Sequence, residues 1–244
     1  ARIVHLRHQF AEGLLAEGSF RLPDLDFTQV GPGYNYMKDE AARSKVLGLA
    51  YQLSKRAEFG EAARERLLAY AGAFPEGNLC RGGYGYTTAY ALFDVVVAYD
   101  LVHDSPALSD ADREVIERMV RLGFQGMARK GDVMRINNRG AVCLGAMAAI
   151  AFCLKDRDLI DWALNGPYGF NYHLQAGIGD DGIWSEGVSY GYMALGAPLR
   201  WNCGYLSVAE AAHHAGIDLF SHARLRRLLD APLDVVLSNP TDVT

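Results

Sequence analysis

Apolar residues recur at helical spacing along most of the 244 residues. Between Met37 and Arg56, the residues Val46, Leu47, Leu49, Ala50 and Leu53 share one face with charges opposite, which predicts a helix. Glu58 to Phe74 repeats the pattern and stops at Pro75. Thr87 to Val102 is a largely apolar helix carrying Leu92, Val95, Val96 and Tyr99. Ser109, followed three residues later by Asp112, reads as the N-cap of an amphipathic helix that runs to about Ala128. Further helices are predicted over Asn138 to Leu154, Asp156 to Asn165, Val188 to Gly204, Leu206 to Ala215 and Ser221 to Val236. Alternating runs joined by hairpin turns, the mark of strands, are missing from the sequence.

The helices are of two kinds. Ser109 to Ala128 is amphipathic, whereas Ala141 to Leu154 is apolar nearly all round and rich in the small residues Gly145, Ala146, Ala148 and Ala149. A helix with no polar face needs neighbours on every side. Amphipathic outer helices alternating with apolar inner ones describe a double layer of helical hairpins. The predicted fold is therefore all-α, an incomplete α/α toroid (an α/α barrel of helical hairpins), in a single domain over residues 1–244. The hairpins share no tight sequence period, which disfavours a regular solenoid.

Composition narrows the functional classes. Half of the residues are hydrophobic, enough for a sizeable core, and the net charge of −5 is spread without blocks. Nucleic acid is disfavoured as a partner, since it leaves a basic footprint. The longest apolar run, Ala141 to Leu154, ends at Lys155 and is too short to span a bilayer, so no membrane partner is expected. Cys80, Cys143, Cys153 and Cys203 lack metal spacing and read as buried thiols. The seven histidines form no metal motif, so no metal or other cofactor is expected in this chain. Ala1 is not a natural start and no signal peptide is visible, so the chain is expected to begin after a cut.

Three glycine-rich aromatic stretches stand between predicted helices: Gly31 to Tyr36, Arg81 to Tyr86 (with Tyr84 and Tyr86), and Gly166 to Tyr172. Tyrosine faces and hydroxyls suit sugar rings, and the set predicts an aromatic groove at one end of the barrel. The same tyrosines also serve as caps on a core, bonded to backbone. His173, next to the third stretch, is a candidate ligand contact.

The densest chemistry lies at Asp180-Asp181-Gly182-Ile183-Trp184-Ser185-Glu186-Gly187-Val188-Ser189-Tyr190-Gly191-Tyr192. A tyrosine hydroxyl beside a cation gives up its proton more easily, so Tyr190 is the leading proton carrier. Tyr192, two residues on, points elsewhere on a helix. Glu186 and Asp181 are either a carboxylate pair for hydrolysis or, respectively, an orienting residue and a turn residue. Upstream, Arg135, Asn137, Asn138 and Arg139 precede an apolar helix. Amides, guanidinium groups and a helix N-terminus all favour an anion such as a uronate carboxylate. The plainer account makes one Asn an N-cap and leaves the arginines solvated.

These segments resemble the heparinase II/III-like polysaccharide lyases, above all the oligoalginate lyase branch. The resemblance is carried by Ala98-Tyr99-Asp100-Leu101 with Leu108-Ser109, by Asn137-Asn138-Arg139-Gly140, and most specifically by Asp181 to Tyr190. It implies a periplasmic or secreted bacterial enzyme acting on an acidic polysaccharide or oligosaccharide, alginate first. The implied reaction is β-elimination beside a uronic acid. Asn138 would neutralise the carboxylate and Tyr190 would act as acid and base. Arg139 stands where many relatives have histidine; it can hold a carboxylate bidentately but is a poor base. From the residues themselves, Trp184, Tyr84, Tyr86, Tyr192 and His173 are expected as substrate contacts, with Asn137, Arg135 and Glu186. Relatives carry β-sheet domains after the toroid, which this chain does not include; the expectation is a fragment of weak activity, with any structural metal held in those domains. Two other readings remain: a glycoside hydrolase using Asp181 and Glu186, and a non-catalytic toroid that binds acidic glycans.

Overall fold

The computed structural model describes residues 2–22, 32–79, 84–196 and 203–238, without the side chains of 2–8, 32–35 and 234–238. Among these residues it is all-helical, apart from one isolated antiparallel bridge between Ile178 and Trp184. Within the single domain expected over residues 1–244, the chain divides into two compact units, Ala1–Lys130 and Gly131–Thr244.

The first unit holds α1 (Arg2–Ala16), α2 (Pro32–Ser54), α3 (Ala57–Ala73), α4 (Tyr86–Val102) and α5 (Asp110–Lys130). The helix predicted from Met37 starts earlier, at Pro32, because proline at the first helical position gives up no bond. Much of the stretch from Gly31 to Tyr36 is therefore helix rather than loop. α2 packs chiefly on α4 and α3. Gly48 allows the close approach: a Cβ there would stand 3.0 Å from Leu101 Cβ and 3.2 Å from the Ala98 carbonyl oxygen. α5 buries Ile116, Met119, Val120, Gly123, Phe124 and Met127. That stripe of three- and four-residue steps faces the unit's core. The expected cap is formed: the Asp112 backbone N–H donates to Ser109 Oγ (3.1 Å), and the Ser109 N–H donates to Asp112 Oδ2 (2.9 Å). Arg64 grips the same carboxylate through Nε and Nη2, at 2.8 and 3.0 Å.

The second unit holds a 3-10 turn (Asp132–Met134), α6 (Asn138–Cys153), α7 (Arg157–Asn165), α8 (Phe170–Gly177), α9 (Val188–Leu195), α10 (Tyr205–His214) and α11 (Ala223–Ser238). α6 is its buried centre, packed on α7, α9 and α10. Its small residues serve this: a Cβ on Gly145 would stand 2.5 Å from the Gly204 backbone nitrogen. Two predictions need correction. Phe170 to Gly177 is a helix, α8, so the third aromatic stretch is partly helical. The helix expected from Val188 to Gly204 ends at Leu195, where Gly196 (φ 78°, ψ 43°) caps it in the left-handed region. Cys143 and Cys203 are buried thiols as read, Cys153 is half-buried, and Cys80 lies outside the described residues.

Candidate active site

The segment 178–187 is a closed turn in which little is left to chance. The Gly179 N–H donates to the Ile183 carbonyl (3.0 Å) and the Ser185 N–H to the Gly177 carbonyl (2.8 Å). Gly182 (φ 83°) and Gly187 (φ 91°) take conformations that side chains resist. Asp181 Oδ1 accepts from the Ile183 N–H at 3.0 Å, so this carboxylate holds the turn. From α11, Arg224 Nη1 donates to the Ile178 carbonyl, and Arg227 Nη1 donates to the Asp180 carbonyl at 3.3 Å.

Trp184 is 1% exposed. Its ring lies edge-on to Tyr205 at 5.7 Å, against Gly177, where any Cβ would collide with it. The expected sugar-stacking surface is thus a core ring, and its Nε1–H donates to Glu186 Oε2 at 3.2 Å. The same oxygen accepts the backbone N–H of Asn138 at 2.6 Å. Glu186 thereby joins the turn to the first residue of α6.

Two N–H groups in the first turn of α6 are already satisfied by the protein. Asn137 is the N-cap, its Oδ1 accepting the Gly140 N–H at 2.9 Å. With the Asn138 N–H given to Glu186, two of the amides expected to meet a ligand carboxylate are taken. Asn138 Nδ2 rests 3.7 Å from Met193 Sδ on α9. A thioether is a weak acceptor, so this amide is easily recruited. Met193 follows Tyr190 by three residues, which puts the two on one face of α9. Tyr190 is 45% exposed, and Arg139 is exposed on the first turn of α6.

Beneath these groups lies a buried chain. Tyr205 Oη is 3.0 Å from His173 Nδ1, and His173 Nε2 is 2.8 Å from the Val133 carbonyl oxygen. The carbonyl only accepts, so Nε2 carries the proton, and Nδ1 accepts from the tyrosine hydroxyl. Burial pushes the His173 pKa down to about 4 against the pull of the Val133 carbonyl. Burial first, then the Glu186 charge, push the Tyr205 hydroxyl well above its usual range. His173 is 0% exposed, so the expected ligand contact is corrected to a neutral structural ring.

Residues 28–242 match the model of the alginate lyase family. The chain belongs to that family. A solved structure of a histidine-to-alanine variant of alginate lyase A1-III, complexed with a tetrasaccharide, matches with a TM-score of 0.64 at 18% identity. The match covers 97% of this chain and 76% of that one. At that identity the likeness carries the fold, and it agrees with the all-α toroid class expected from the helix pattern. No curated protein matches the chain.

In this alginate lyase family member the other expected contacts fall as follows. Tyr192 is 45% exposed, and Arg135 is exposed with Nε 3.5 Å from Asp132 Oδ1. Tyr84 and Tyr86 belong to the first unit. The Tyr84 hydroxyl donates to the Glu76 carbonyl (3.2 Å) with its ring against Gly126, and Tyr86 lies edge-on to Tyr90 at 6.2 Å. Arg81, Gly82 and Gly83 lie outside the described residues. The described residues include no group of three or more His, Cys, Asp or Glu able to hold a metal, and no helix long and apolar enough to cross a membrane. Sequence reasoning missed Met193, Tyr205, Arg224 and Arg227. None sits in a local motif; each acts on a segment far along the chain.

Proposed function

We propose that this alginate lyase family member cleaves alginate by β-elimination, in the periplasm or outside a bacterial cell. The tetrasaccharide bound to the structural relative supports an acidic oligosaccharide as the ligand class. One observation carries the mechanistic reading: the Asn138 amide leans on Met193, on the face of α9 that also carries the exposed Tyr190. Asn138 Nδ2 exchanges Met193 sulfur for the uronate carboxylate, with Arg139 adding positive charge. Neutralising that carboxylate acidifies the proton at C5. Tyr190 as its phenolate takes that proton and, now the phenol, passes it to the leaving oxygen at C4, so the bond from C4 to oxygen breaks as the C4–C5 double bond forms. We further propose kinship with the heparinase II/III-like branch, on the three segments of the resemblance and most specifically on Asp181 to Tyr190.

The test is ultraviolet absorbance during incubation with alginate. Wild type should build up absorbance from the conjugated double bond, and Tyr190→Phe should lose about a thousandfold or more in rate with an unchanged melting temperature. Full activity in Tyr190→Phe would remove the tyrosine from the mechanism. The hydrolase reading loses support from the geometry, because Asp181 braces its own turn and Glu186 Oε2 is occupied by two N–H groups. Reducing ends without new absorbance would restore it.

A further inference from the structure

Glu186 ties together the two segments that the lyase reading depends on. Its Oε2 accepts the Trp184 indole N–H and the Asn138 backbone N–H, at 3.2 and 2.6 Å. Trp184 is buried against Tyr205, so one donor is fixed by the core. The other belongs to the residue whose side chain is to meet the substrate. A carboxylate is also well placed at a helix N-terminus, where the backbone amides carry partial positive charge. We infer that Glu186 is a positioning residue: through this shared oxygen it fixes Asn138 relative to α9, so that the Asn138 amide meets the uronate carboxylate in register with Tyr190. The inference rests on the lyase reading for its effect on rate, but not for the contact itself.

The contact needs above all an acceptor, the charge adding less, and it transfers no proton. Glutamine keeps an acceptor oxygen at the same reach; alanine leaves both N–H groups without one. A residue engaged in proton transfer would behave otherwise, because glutamine neither takes nor gives a proton at catalytic pH. The two substitutions therefore separate holding from chemistry.

The experiment compares E186Q and E186A on alginate across pH, beside hydrogen exchange of the Trp184 indole proton and the Asn138 amide proton by NMR. E186Q should keep kcat within about fivefold of wild type, with the same pH profile. E186A should lose about a hundredfold in kcat, the cost of misplacing a reacting group by about 1 Å, with a smaller change in KM. Both protons should be protected from exchange in wild type and E186Q and lose protection in E186A. An E186Q enzyme as slow as E186A would overturn positioning in favour of proton chemistry; an E186A enzyme as fast as wild type would overturn it outright. Should E186A melt too low to assay, the E186Q rate alone decides, a hundredfold loss sinking the inference. Should wild type show no elimination on any uronate polymer, the lyase reading fails. The exchange data then stand alone, and equal protection in all three proteins would overturn the inference.

Discussion

The Tyr205 hydroxyl donates to His173 Nδ1 at 3.0 Å, completing the tautomer that the Val133 carbonyl imposes on a histidine that no solvent reaches. With Nε2–H given to the Val133 carbonyl, both nitrogens of the neutral ring are bonded. Protonation would place a charge where no solvent reaches, and burial opposes it. The folded pKa of about 4 lies below the ordinary 6.5, so the unfolded chain binds the proton more readily. The contribution is complete above about pH 6.5 and is lost as pH falls towards 4. The span amounts to about 3 kcal/mol. Urea unfolding at pH 7 and pH 4.5 should show this loss in wild type, and His173→Gln should show a flatter profile on a lower baseline. An equal acid slope in both proteins would remove His173 as its source. Tyr205→Phe should cost about 1–3 kcal/mol at pH 7, because it leaves Nδ1 buried without a donor.

A second acid-sensitive element sits in the first unit. The bidentate bond from Arg64, with the Ser109 contacts, holds the Asp112 carboxyl well below the usual carboxylate range. Here the unfolded state is again the better proton acceptor, but the window is lower. The stabilisation is present above about pH 4 and fades below it. The Arg64 side chain is 40% exposed, so solvent screens the pair. Asp112→Ala should cost about 1–2 kcal/mol at pH 7, mostly as a lost cap. Equal denaturation midpoints for the two proteins would contradict this.

How far the fold could be read from the sequence follows from the range of each signal. The Ser109 and Asp112 pairing is three residues long, and both its existence and its geometry were legible. The all-helical class followed from repeated apolar faces. The short helix α8 was hidden because Gly166, Pro167 and Gly169 punctuate the stretch before it, and eight residues give barely two turns of pattern. The end of α9 was hidden by apolar continuation beyond Gly196, whose left-handed cap is a backbone property. In the candidate site, the two segments carrying Asn138 and Tyr190 stood out in the sequence, whereas the bond from the Asn138 N–H to Glu186 spans 48 residues. Burial of Trp184 and His173 depends on Tyr205, which arrives from another helix. No local pattern contains that information.

Two glycines in the turn over residues 178–187 should differ in cost for a geometric reason. Gly187 (φ 91°) has nothing within 4 Å of a built Cβ, so alanine there meets only backbone strain, about 1–3 kcal/mol. Gly182 (φ 83°) adds a clash, since its Cβ would stand 2.5 Å from the Arg227 carbonyl oxygen on α11. Gly182→Ala should therefore melt lower than Gly187→Ala. Thermal denaturation of the two variants decides it; the reverse order would mean that α11 yields without cost.

Asn138→Asp is the sharpest probe of how the site reads charge. The substitution is nearly isosteric, so the Asn138 N–H keeps its bond to Glu186 and α6 keeps its start. What changes is the side chain, from an amide that donates to a carboxylate that only accepts. A uronate approaching it would meet a like charge. Two unit charges 4 Å apart at an effective dielectric of 20 repel by about 4 kcal/mol, which is about a thousandfold in affinity or rate. Asn138→Ala removes the donor without adding repulsion and should be milder, by about tenfold or more. Raising the salt should recover part of the loss in Asn138→Asp and little in Asn138→Ala, because only the first is electrostatic at range. Calorimetry with alginate oligomers, beside the absorbance assay, measures both. Wild-type binding by Asn138→Asp would show that the substrate carboxylate is read elsewhere, with the exposed Arg135 and Arg139 as the next residues to test.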